Sequence, residues 1–272
     1  MKQPRKHLLC LLLALWLTGV LLAGCAADTA DSNADLPVIT VGCDNYPPFN
    51  YVNGNGQPAG IDVELAAEAF RRMGYRPEYI TINWTEKNAL LESGAIDCIW
   101  GCFSMNGRED EYTWAGPYMY SHQVVAVMPD SDIQTLADLA GKTVVVQATT
   151  KPESLFLDGN DPRIPEIRAL HSLQKQELIY SHLAKGYADA VAAHEISILQ
   201  YMADYGSEFR ILEEPLEVVG LGVAFSRSDD RGIAQALCAT LEQMRTDGTT
   251  RSILASYLAD PDKYLEADGY AD

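Results

Sequence analysis

Ile61-Asp62-Val63-Glu64-Leu65-Ala66-Ala67-Glu68-Ala69-Phe70-Arg71-Arg72-Met73 carries an apolar residue at every fourth position (Ile61, Leu65, Ala69, Met73) and runs into Gly74. That period marks an amphipathic helix, and the glycine supplies its stop. Upstream, the β-branched run Val38-Ile39-Thr40-Val41 reads as a short strand. Tyr46-Pro47-Pro48-Phe49 breaks it, and Asn53-Gly54-Asn55-Gly56 makes a tight turn before the helix. Downstream, the pattern predicts a strand over 79–82, a helix over 85–93 capped by Thr85 and ended by Gly94, and a strand over 96–100. Strand, helix, strand, helix, strand implies right-handed crossovers and a parallel sheet.

The same alternation then returns. Strands are expected at 124–128 and 143–147, a helix starting near Pro152, a helix over 172–185 stopped by Gly186, a strand at 189–192 and a helix over 195–205 stopped by Gly206. An apolar strand at 218–225 and helices over 229–246 and 249–258 complete the chain. The fold class is α/β, and two lobes fit the pattern better than one sheet. With 272 residues, 47% of them hydrophobic, the chain can bury one large core or two medium ones.

The net charge of −18 argues against nucleic acid as a partner, because phosphate binding needs a basic face. One segment is apolar enough to enter a membrane, which disfavours a free-standing channel. It is N-terminal: Lys2, Arg5 and Lys6 precede an apolar run over 8–22, and Leu22-Ala23-Gly24-Cys25 follows. A basic start, an apolar stretch and a small-residue site define an export signal. The cysteine after the small pair resembles a bacterial lipobox, which implies cleavage of residues 1–24 and lipidation of Cys25. Cleavage removes three basic residues and takes the net charge from −18 to −21. Residues 25–36, small and polar, read as a flexible tether. The remaining Cys43, Cys98, Cys102 and Cys238 form no metal-ligand spacing, and buried free thiols are the expectation.

Six segments occur in an order that carries a family resemblance. They are Gly42-Cys43-Asp44-Asn45-Tyr46-Pro47-Pro48-Phe49, Gly60-Ile61-Asp62-Val63-Glu64-Leu65, Gly94-Ala95-Ile96-Asp97, Gly116-Pro117-Tyr118, Asp138-Leu139-Ala140-Gly141-Lys142 and Gln147-Ala148-Thr149-Thr150. With these the chain resembles the extracellular solute-binding proteins that serve polar amino-acid ABC transporters, family 3, in lipoprotein form. The resemblance implies a two-lobed periplasmic-binding-protein-like fold of type II with a ligand cleft between the lobes. Lobe 1 would comprise 37–127 plus 222–272 and lobe 2 128–221, joined by crossover strands near 124–128 and 219–224. It further implies a monomer held at the outer face of the cell membrane by the lipid on Cys25. Its partners would be a small zwitterion or carboxylate, most readily a polar amino acid, and a transporter permease. No cofactor, no metal and no catalytic residue is expected, and no nucleophile elbow, zinc-helix motif or phosphate loop is present.

The expected ligand-binding residues are Tyr46, Trp84, Gly101, Cys102, Ser104, Arg108, Thr149, Thr150 and His194. Loops at the C-terminal ends of strands line the crevice of an open α/β sheet, which places Tyr46 and Trp84 there; by resemblance both stack on the ligand. Arg108 suits a carboxylate, since a planar guanidinium offers two parallel hydrogen bonds. Its loop is one residue shorter than the family pattern. Gly101 permits close approach to a backbone carbonyl, and Ser104 offers a hydroxyl and an amide. Thr149 and Thr150 precede a helix start, whose free N–H groups favour an anion.

His194 departs from the family, in which an acid at this position pairs with the ligand ammonium. Either the adjacent Glu195 turns inward to replace that acid, or the ligand lacks an ammonium there. An unperturbed His titrates near pH 6.5, so ligand binding would change across that range. Two alternatives stand beside the transport reading. One is an enzyme on the same scaffold, of the cyclohexadienyl dehydratase kind, with His194 and Glu195 as the acid–base pair. The other is a ligand-sensing protein acting through a separate signalling partner.

Overall fold

The structure, a computed structural model, describes residues 36–267, and Pro37 onward forms one unit. The export signal, Cys25 and residues 25–35 of the tether lie outside the described residues. Among those described, no helix is long and apolar enough to cross a membrane.

In lobe 1, β1 (Val38–Cys43) pairs in parallel with β4 (Arg76–Thr81) on one side and β5 (Cys98–Ser104) on the other. A small hairpin, β2 (Tyr51–Val52) and β3 (Pro58–Ala59), precedes α1 (Ile61–Met73). Gly60 enters this helix at φ 123, and a Cβ there would sit 2.2 Å from the Phe49 carbonyl oxygen, so only glycine lets the loop pack against the helix start. Gly74 ends the helix in the left-handed region. The expected helix over 85–93 is shorter and differently capped. A 3₁₀ turn at Trp84–Glu86 begins on Asn83, whose side chain accepts from the Thr85 amide, and α2 (Lys87–Glu92) continues from it.

In lobe 2, β7 (Thr143–Gln147) lies between β8 (Ala169–Leu173) and β9 (Ala190–His194), all parallel. The helices α3 (Lys151–Asp158), α4 (Gln176–Ala184) and α5 (Glu195–Tyr205) connect and cover them. The helix expected from residue 172 starts only at Gln176, because 169–173 forms β8. The lobes are joined by β6 (Thr113–Val127) and β11 (Glu217–Phe225), which pair antiparallel with each other, while β10 (Arg210–Ile211) adds to β6. The sheet is therefore mixed, not wholly parallel as the alternation predicted. β6 changes partners at Gln123, which is in register with His194, so residues 124–127 already belong to the lobe 2 sheet. The helices α6 (Ile233–Thr246) and α7 (Thr249–Leu254) return to lobe 1.

Each lobe has helices on both faces of its sheet, and the side chains sort by the two-residue period of a strand. Along β5, Cys98, Trp100 and Cys102 pack with α1 and α6, whereas Ile99 and Phe103 pack with Trp84 and Leu91. Along β7, Val144 and Val146 face Leu136 and Leu139, and Val145 faces α4. The two lobes also repeat one stitch. Thr40 N donates to Asp97 Oδ2 at 2.7 Å, and Thr143 N donates to Asp189 Oδ2 at 2.7 Å. Arg231 pairs with the first aspartate and Arg168 with the second.

Candidate functional site

The C-terminal ends of β1, β5, β7 and β9 converge between the lobes, where an α/β sheet presents its loops. They border a partly open cavity. Tyr46, Trp84, Gly101, Cys102, Ser104, Arg108, Thr150 and His194 all line it. Thr149 does not: it is exposed, at φ 59, and its hydroxyl accepts from Lys87 on the opposite lobe.

The floor on the lobe 1 side is set by Asp62. This carboxylate in the first turn of α1 is 1% exposed and accepts from Asn50 Nδ2 (2.9 Å), Cys102 N (2.7 Å) and Tyr118 Oη (2.8 Å). Burial pushes its pKa up to about 6. The bond to Cys102 N meets a residue at φ 50, in the left-handed region within β5. Gly101 has a packing reason beyond the one its sequence suggests: a Cβ there would lie 3.3 Å from Cζ3 of Trp84, so its absence seats the indole. Trp84 stands edge-on to Phe103, with centroids 5.2 Å apart.

Arg108 folds back over the Phe103 ring and donates Nη1 to the Ser104 carbonyl at 3.2 Å. Among the described residues no carboxylate lies within ion-pair distance of it, Glu109 and Asp110 included, and burial lowers its pKa. Facing it, Thr150 is the N-cap residue of α3. Its hydroxyl donates to the Gln147 carbonyl at 2.6 Å, which leaves the amides of Lys151 and Glu153 without a side-chain cap, Pro152 between them having none. Lys151 also lines this end and pairs with Glu217 at 3.1 Å.

His194 closes the opposite wall. Gln123 Nε2, a donor, lies 2.8 Å from His194 Nε2 and 3.3 Å from Ser104 Oγ. The ring is thus engaged at Nε2 by Gln123 and at Nδ1 by Ser121 Oγ, 2.9 Å away. Burial holds its pKa down at about 3, so the imidazole is neutral through the physiological range. This corrects the expected titration near pH 6.5. Glu195 does not turn inward: its carboxylate binds Lys263 Nζ at 2.8 Å, away from the cavity lining.

Sequence reading passed over Asp44, Gln123, Gln147 and Gln176, all of which line the cavity. Asp44 was legible, since it precedes Tyr46 in the loop after β1. Gln147 Nε2 crosses the cleft to Asp44 Oδ2 at 2.5 Å, and burial raises the pKa of Asp44.

A family model of bacterial extracellular solute-binding proteins, family 3, matches residues 39–260. The chain belongs to this family. The family 3 chain is 30% identical to the histidine-binding periplasmic protein of Salmonella typhimurium over 80% of its length and 86% of that protein. It is 27% identical to glutamate-binding protein GluB of Corynebacterium glutamicum, over 92% of this chain and 90% of GluB. An ABC uptake transporter substrate binding protein from Streptococcus pneumoniae, solved with bound histidine, superposes with a TM-score of 0.74 at 22% identity, covering 82% of this chain and 93% of that one. This last likeness shows the shared fold, a two-lobed periplasmic-binding-protein fold of type II. As a family 3 member the chain is an extracytoplasmic solute-binding protein.

Proposed function

We propose that this protein is the lipid-anchored, monomeric receptor of an ABC importer, taking up a small carboxylate-bearing zwitterion of the amino-acid class and handing it to a permease. The observation that carries the ligand class is Arg108: a guanidinium lining the cavity with no carboxylate at ion-pair distance, opposite the uncapped start of α3. A ligand carboxylate bound there would touch both lobes, so ligand favours closure by rotation about β6 and β11. Histidine and glutamate in the names of the curated relatives support the amino-acid class. The chain is read as a carrier without catalysis, because the His194–Glu195 pair that a dehydratase reading required does not assemble: His194 is neutral and doubly bonded, and Glu195 is bound to Lys263.

A thermal-shift screen of the soluble domain against amino acids and simple carboxylates tests this reading. A ligand at a hundred times its Kd adds about 2.7 kcal/mol of stability. The Arg108→Lys variant should then lose about 1.5–3 kcal/mol of binding with little change in fold stability. Failure of every carboxylate to stabilise the protein, or unchanged affinity in Arg108→Lys, overturns the reading.

A further inference from the structure

The charges around the cavity are separated. Arg108, Lys151 and Thr150 supply the cation and N–H side of the lining; Asp44 is the one carboxylate among the lining residues, and it is bonded to Gln147 rather than paired with Arg108 or Lys151. Asp44 lies beside Gly101, whose Cβ position is 3.7 Å from Asp44 N, while Arg108 is tied to the Ser104 carbonyl. Gly101 and Ser104 are three residues apart on β5, at most about 10 Å of strand rise. The lining also includes His194, whose two ring nitrogens are both engaged, by Gln123 and by Ser121. The acceptors near it, Ser104 Oγ and Gln123 Oε1, are neutral. An ammonium placed there would meet no charged group of the lining, and the Asp62 carboxylate behind Cys102 already accepts from Asn50, Cys102 N and Tyr118, so burying that charge is costly.

We infer that the site selects a carboxylate whose only positive charge lies at the far end of an unbranched chain, an ω-amino or ω-guanidino acid, in preference to the α-amino acid of the same length. Its carboxylate takes Arg108 and its cation takes Asp44, displacing Gln147 from that carboxylate. The middle of the chain, carrying no α-ammonium, passes His194 between Tyr46 and Trp84. This rests on the carboxylate role of Arg108 argued above and narrows it to a substrate class. An α-amino acid carries both charges on one carbon, so it cannot satisfy Arg108 and Asp44 with those two groups together.

Calorimetric titration of the soluble protein with two matched pairs decides it: arginine against 4-guanidinobutanoate, and lysine against 5-aminopentanoate. The des-amino member of a pair should bind about tenfold tighter or better. Asp44→Asn should abolish that binding, while His194→Asp should move the preference toward the α-amino member. An α-amino acid that binds wild type tighter than its des-amino partner overturns the inference and leaves the receptor reading intact. No binding by either class, together with no hit among other carboxylates, overturns both.

Discussion

Lys87 Nζ, at the start of α2 in lobe 1, donates to Thr149 Oγ1 at 2.9 Å and to the Thr149 carbonyl at 3.2 Å in lobe 2. The lysine is 5% exposed, and its ammonium lies 5.0 Å above the Trp84 ring. A charged donor clasping a residue held in the left-handed region ties the rims of the cleft together. Lys87→Met keeps an apolar stem of similar reach against Trp84 and Phe103 and removes the clasp. Hydrogen bonds to a charged group contribute about 1.5–3 kcal/mol, so ligand should leave about tenfold faster or more, with association little altered. Stopped-flow dissociation reads this directly, and equal off-rates would show that the clasp adds nothing.

Acid should weaken the fold through His194. Its pKa falls from 6.5 to about 3 on folding, so between these values the unfolded chain holds the extra proton. Stability from this group is complete above pH 6.5 and is lost as the pH falls. Asp62 acts oppositely: raised from 3.8 to about 6, it favours the folded state more as the pH drops through that window. Over about two pH units below 6.5, His194 alone accounts for about 3 kcal/mol. Urea unfolding at about pH 6.5 and 4.5 should show wild type losing that much more than His194→Gln. Parallel losses would mean that the imidazole is not kept neutral by the fold.

Asp62 should matter more than its distance from solvent suggests. Asp62→Ala strands three donors, on Asn50, Cys102 and Tyr118, and should cost about 3–5 kcal/mol, as removal of one member of a buried polar cluster does. Asp62→Asn retains an acceptor oxygen and should cost less. Equilibrium denaturation of both variants gives the comparison, and an Ala variant as stable as the Asn variant would contradict it.

Cys25→Ser should abolish lipid attachment and leave the precursor uncleaved or unlipidated. Detergent partitioning of cell extracts with mass measurement distinguishes the forms. A Cys25→Ser protein that still carries lipid at mature mass would refute the lipobox reading.

Much of the site was legible because loop position depends on local pattern. Tyr46 after β1 and Ser104 and Arg108 after β5 could be placed once those strands were recognised. Gln123 could not, because its role depends on register with His194, 71 residues away, and it lies just before the strand expected at 124–128. Thr149 differs from its neighbour Thr150 for a local reason: at φ 59 it is exposed and its hydroxyl meets Lys87, and sequence does not announce a left-handed threonine. β6 was read short because Gly116-Pro117 interrupts an otherwise continuous 15-residue strand. The sequence pattern shows no strand at 169–173 and assigns 172–173 to the following helix, because no turn signal separates β8 from α4. His194 was recognised as the departure from its family, but its neutrality follows from burial, which only the packed fold supplies.

The seat of Trp84 has an optical consequence. Its indole rests on Gly101, borders the cavity, stands edge-on to Phe103 and lies under the Lys87 ammonium that grips the other lobe. Any parting of the lobes therefore changes the field across this chromophore. The protein carries a built-in emission gauge of its own closure, readable in unlabelled material.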